Sequence, residues 1–166
     1  MIKILGTVLV LFACIALSRN KISDYKLKAK VLTSIISSLK EMSDNISFYK
    51  KPLHEILHSL KERTDDVFFK KVVFHLKKDE KETIPGAWEK ALNDDIALLP
   101  EAKASLSLLG KNLGTQTAEL ETENISFCLR ELEKILKSSE ETLKKNTKML
   151  RSFGILAGIM IVILFI

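Results

Sequence analysis

Apolar residues recur at steps of three and four through most of the chain, and at both ends they crowd into unbroken runs. Leu32, Ile35, Ile36, Leu39, Met42, Ile46 and Tyr49 form one stripe, the mark of an amphipathic helix facing a core. Nothing between Asn20 and Phe48 is Gly or Pro, so this helix is expected to continue out of the apolar N-terminal run. Pro52 ends it and suits the first turn of a second helix, Pro52–Arg63, with Leu53, Ile56, Leu57 and Leu60 on one face. Asp65 or Asp66 can cap a third, whose apolar positions are Val67, Phe68, Val72, Val73 and Leu76. A charged loop, Lys77–Thr83, precedes Pro85-Gly86, which opens a short helix, Ala87–Asn93, holding Trp88. The next helix starts near Pro100 and is expected to break at Gly110 and Gly114.

The last helix, from about Thr115, is the most regular. Leu129, Leu136, Leu143 and Leu150 fall seven apart, with Ile125 and Leu132 on the neighbouring position, a heptad face that packs on another helix of this chain or of a partner. It runs into the C-terminal apolar segment as one helix of about 50 residues, roughly 75 Å. No strand pattern of weight competes. The expectation is an all-α protein, a bundle of about six helices.

The two ends change the picture from a soluble bundle to an anchored one. Residues 150–166 hold one charge, Arg151, and make about 25 Å of helix, the short end of what spans a bilayer core. Residues 1–18 are apolar apart from Lys3, Thr7 and Ser18. The domain reading is therefore a membrane segment at 1–18, a helical body at 19–150 and a second membrane segment at 151–166. Two alternatives stay open for the first run, a secretory signal ending at Ala16-Leu17-Ser18 and a lipoprotein box at Leu11-Phe12-Ala13-Cys14. Either would make the protein an exported, tail-anchored bundle. The basic cluster after the run opposes export, which favours an uncleaved anchor.

The formal net charge of +5 is unevenly spread. Arg19, Lys21, Lys26, Lys28 and Lys30 follow the first run, and Lys144, Lys145, Lys148 and Arg151 precede the last. Residues 31–143 hold 16 basic and 20 acidic side chains, so the body is mildly acidic and no nucleic-acid partner is expected. Basic flanks on the body side of both segments place the body in the cytoplasm. Cys14 and Cys128 lie far apart in the pattern, which fits a reducing compartment.

Candidate chemistry is sparse. His54-Glu55-Ile56-Leu57-His58 fits H-E-x-x-H, in which two histidines four apart on a helix share zinc and the glutamate activates its water. A catalytic zinc needs a third ligand, and His75, the remaining histidine, lies on another helix; Lys61 also opposes a cation on the same face. The zinc-dependent membrane protease is thus the alternative reading, and no catalytic residue, metal or cofactor is expected. Gly154 and Gly158 form a G-x-x-x-G that lets helices approach closely, either on Gly6, Ala13 and Ala16 of the first segment or on a second copy, giving a homo-oligomer through the tail. Trp88 reads first as a core anchor and second as a partner hot spot.

Several short pieces carry a resemblance by their order and spacing. They are Lys3-Ile-Leu-Gly6 before the first run, Tyr49 leading to Pro52-Leu53-x-Glu55, the box Ala87-Trp88-Glu89-x-Ala91-Leu92, Leu109-Gly110-x-x-Leu113-Gly114, and the tail Phe153-Gly-x-Leu-Ala-Gly158. Over nearly its full length the chain resembles the stage III sporulation protein AB family of endospore-forming bacteria. That family is similar in turn to the cytoplasmic helical domains of type II secretion F proteins, inner-membrane platform components that work with a secretion ATPase. The resemblance implies a non-catalytic platform subunit of the channel-like complex between mother cell and forespore. It implies a place in the outer forespore membrane, which derives from the mother cell, with the body in the mother-cell cytoplasm. Implied partners are a secretion-type ATPase subunit and other stage III sporulation membrane proteins.

Overall fold

The computed structural model describes the backbone of residues 2–63, 66–79, 81–94 and 96–165, and the side chains of residues 23–152 apart from 62–65, 80, 95, 146, 150 and 151. The described residues form six helices and no strand: α1 (Ile2–Tyr49), α2 (Leu53–Arg63), α3 (Val67–Lys78), α4 (Ile84–Asn93), α5 (Pro100–Asn112) and α6 (Ala118–Phe165). The all-α expectation holds. Residues 28–137 make one compact unit; residues 1–27 and 138–166 make another, so α1 and α6 each contribute to both.

In the unit of residues 28–137 every helix supplies buried side chains to one core. Leu32, Ile35, Leu39 and Met42 come from α1, Ile56, Leu57 and Leu60 from α2, and Phe68, Phe69, Val72 and Val73 from α3. Trp88 and Leu92 come from α4, Ala102 and Leu106 from α5, and Ile125 and Leu132 from α6. The Lys40–Glu133 ion pair (2.6 Å) and the Ser47–Thr122 hydroxyl pair (3.3 Å) step up α1 as they step down α6, so the two helices run antiparallel here. α2 packs on α3, α3 on α4 and α4 on α5.

Local chemistry sets the helix ends. Lys50 takes φ 48° after α1, and the Pro52 carbonyl accepts from the Glu55 and Ile56 N–H groups as α2 opens. Asp66 caps α3; Asp65, the other candidate, lies outside the described residues. Val67, expected in the α3 stripe, is exposed, and Phe69 takes the buried position instead. α4 begins three residues earlier than expected, because Thr83 Oγ1 accepts from the Gly86 N–H and Pro85 fits the first turn.

One expectation needs correction. Gly110 does not break α5; it lies inside the helix, and the break falls at Leu113 and Gly114, where Gly114 takes φ 82°. The leucine heptad packs against the core from its edge rather than at its centre. Ile125, Cys128 and Leu132 are buried, while Leu129 and Leu136 are half-buried at the edge of the core. Leu143 is half-buried in the other unit, and Leu150 lies outside the described side chains.

Among the described residues no helix is long and apolar enough to cross a membrane. The spans expected at 1–18 and 151–166, with Gly154 and Gly158, fall outside the described side chains, Ser152 apart.

Candidate interaction surfaces

Trp88 is fully buried, which assigns it to packing. Its ring stands edge-on to Phe68 (centroids 4.7 Å apart) and to Phe69 (5.6 Å), the geometry that sets a positive ring edge against a negative face. Its Nε1–H donates to the Leu106 carbonyl oxygen at 2.8 Å, so the one polar atom of the indole is satisfied inside the core. Gly110 lies one helical turn beyond Leu106, and a Cβ there would fall 2.6 Å from Trp88 Nε1. The glycine therefore lets the α5 backbone lie against the indole face. Gly114 N–H donates to Glu121 Oε1 (2.6 Å), which ties the α5–α6 turn to the first turn of α6. Leu53 is half-buried beside that turn, and Pro52 is exposed.

A second polar element joins α1 to α3. Asp66 Oδ1 accepts from the Phe68 and Phe69 N–H groups, and Ser38 Oγ donates to Asp66 Oδ2 at 3.0 Å. Burial pushes the Asp66 carboxyl above its usual range, against the opposing pull of these hydrogen bonds. The sequence marks Asp66 as a cap but carries no sign that Ser38, 28 residues earlier, faces it.

The residues of the H-E-x-x-H motif do not converge on a third ligand. His54, Glu55 and His58 are exposed on α2, and His75 on α3 pairs instead with Asp94 Oδ2 at 3.1 Å. Among the described residues no three histidine, cysteine or carboxylate side chains are placed to hold a metal ion. The Asp94 carboxyl is held below its usual range by His75, with Lys71 assisting. Cys128 is buried beneath α5, its thiol pushed up to about 12 by burial first and Glu131 second, so it stays protonated.

What the body offers outward is apolar surface on a polar background. Leu108 and Phe127 stand more than half exposed across a shallow depression of about 80 Å³ between α5 and α6. Phe48 and Tyr49, 78% and 69% exposed, end α1 beside Glu41, Asp44 and Lys51. In the unit of residues 1–27 and 138–166, Lys26 of α1 and Leu143, Lys144, Thr147 and Lys148 of α6 line an open depression of about 400 Å³. Sequence reasoning missed the first and third of these surfaces, because each joins residues of two different helices. Among the described residues no three histidine, cysteine or carboxylate groups gather at these surfaces.

A solved structure described as stage III sporulation protein AB (SpoIIIAB) superposes with a TM-score of 0.61 at 18% identity, covering 71% of this chain and 97% of that one. At that identity the likeness speaks to the fold. No individually curated protein matches. The sequence pattern of the family described as stage III sporulation protein AB matches residues 3–166, and the chain belongs to that family.

Proposed function

We propose that the protein is a non-catalytic platform subunit of the secretion-like channel complex between mother cell and forespore, needed for endospore formation. Segments 1–18 and 151–166 anchor it in the outer forespore membrane, and the bundle of residues 19–150 stands in the mother-cell cytoplasm as a type II secretion F-like body. Its work is mechanical. The body presents a docking face to a secretion-type ATPase and to other stage III membrane proteins, and the two long helices carry position to the bilayer.

Membership of a stage III sporulation family supports the sporulation role. The single observation that carries the rest is that α1 and α6, 48 residues each, bring both apolar ends of the chain into one compact unit. The lysines beside those ends agree with the anchor reading. The test is fractionation of sporulating cells. The protein is expected in the membrane pellet after alkaline extraction, with the body digested by protease added from the cytoplasmic side alone. Release into the soluble fraction, or digestion from the opposite side, would overturn the reading.

A further inference from the structure

We propose that Lys26, Lys144 and Lys148 form a binding site for the phosphate of an anionic lipid headgroup. The proposal rests on the membrane anchorage argued above and adds a ligand to it. The three lysines are exposed and converge from two helices on one open depression of about 400 Å³. Among the described residues no carboxylate lines it, and none of the three lysines has a carboxylate partner. Thr147 Oγ1 is committed to the Leu143 carbonyl at 2.8 Å, so the available donors are the three ammonium groups, nine N–H bonds with no acceptor. That set suits a compact anion with several oxygens.

The remaining wall selects the source. Leu143 supplies an apolar contact for a glycerol or the start of an acyl chain, and among the described residues no aromatic ring lines the depression on which a nucleobase could stack. The depression belongs to the same compact unit as both apolar ends. Lys26 lies eight residues beyond Ser18, and Lys148 and Lys144 lie five and nine residues before Phe153, about 8–14 Å along a helix. A headgroup layer is about 5–8 Å deep, and an extended lysine stem covers the difference. Lysine-lined hollows at the cytoplasmic ends of membrane helices hold lipid phosphates in this way.

The test titrates the full-length protein, in neutral detergent, with phosphatidylglycerol or phosphatidylcholine and reads bound lipid by native mass spectrometry. The wild type is expected to prefer the anionic lipid by roughly 100-fold at low salt, about fivefold for each lysine. Lys26→Gln with Lys144→Gln and Lys148→Gln should abolish the preference, and Lys148→Gln alone should lower it about fivefold. A control triple change, Lys77→Gln, Lys103→Gln and Lys111→Gln, should leave it unchanged. Equal binding of the two lipids by the wild type, or a preference that survives the triple change, overturns the site. Inorganic phosphate binding as tightly as the lipid overturns the lipid assignment in favour of a free anion. A protein that pellets with membranes yet shows no headgroup preference refutes this site alone; one that does not pellet refutes the anchorage beneath it.

Discussion

One hydrogen separates a close helix contact from a clash at residue 110. A methyl there would meet the rigid indole of Trp88, which is itself pinned by Phe68, Phe69 and the bond to Leu106. Gly110→Ala should therefore destabilise the protein by about 1–3 kcal/mol, despite the better helix propensity of alanine. Trp88→Ala should cost about 3–5 kcal/mol through the cavity it leaves. Thermal unfolding of the full chain followed by circular dichroism checks both, and a rise in midpoint for Gly110→Ala would contradict the packing described. Asp66 gives a prediction in pH. Its folded pKa is raised, so the folded state holds the proton more tightly, and its contribution to stability falls as pH rises from the unfolded value, 3.8, through the folded one. Asp66→Asn keeps an oxygen for the cap and removes that titration. Between pH 4 and pH 7 the variant should gain stability relative to the wild type, and a difference independent of pH would count against the raised pKa. At this scale the sequence was legible for intrinsic properties, such as the cap at Asp66 and the bulk of Trp88. It was not legible for Gly110, whose role depends on which helix lies opposite.

At the scale of elements, five of the six helices end close to where proline, glycine and cap residues place them, because those signals are local. The exact start of α4 was hidden: Pro85-Gly86 marks the opening, but only the Thr83 cap puts Ile84, Pro85 and Gly86 inside the first turn. The centre of the buried face of α6 was hidden for a physical reason. Residues Leu129 and Leu132 lie three apart, both belong to seven-residue series, and an apolar stripe this wide does not reveal its centre. Structure centres it on Ile125, Cys128 and Leu132. Leu132→Ala should then cost about 2–5 kcal/mol and Leu129→Ala distinctly less, read from the same thermal midpoints. The Lys40–Glu133 pair, about half exposed on each side, contributes at most about 1 kcal/mol, so apolar burial rather than charge holds α1 to α6.

For the whole molecule, charge and hydropathy order the chain from end to end. Apolar termini, a lysine-rich collar and a mildly acidic helical body follow one another along both long helices. The body leaves Phe48, Tyr49, Leu108 and Phe127 exposed, and a docking platform needs apolar anchors of this kind within a polar surround. The measurement that bears most directly on the platform reading is a crosslinked pull-down of the tagged full-length protein from sporulating cells, scored for the secretion-type ATPase and the other membrane proteins of the same complex. The account predicts that the ATPase comes down with the wild type and is lost when the body's surface charges are removed while the helical content stays intact. Recovery of the protein alone, or with unrelated partners in vegetative cells, would contradict it.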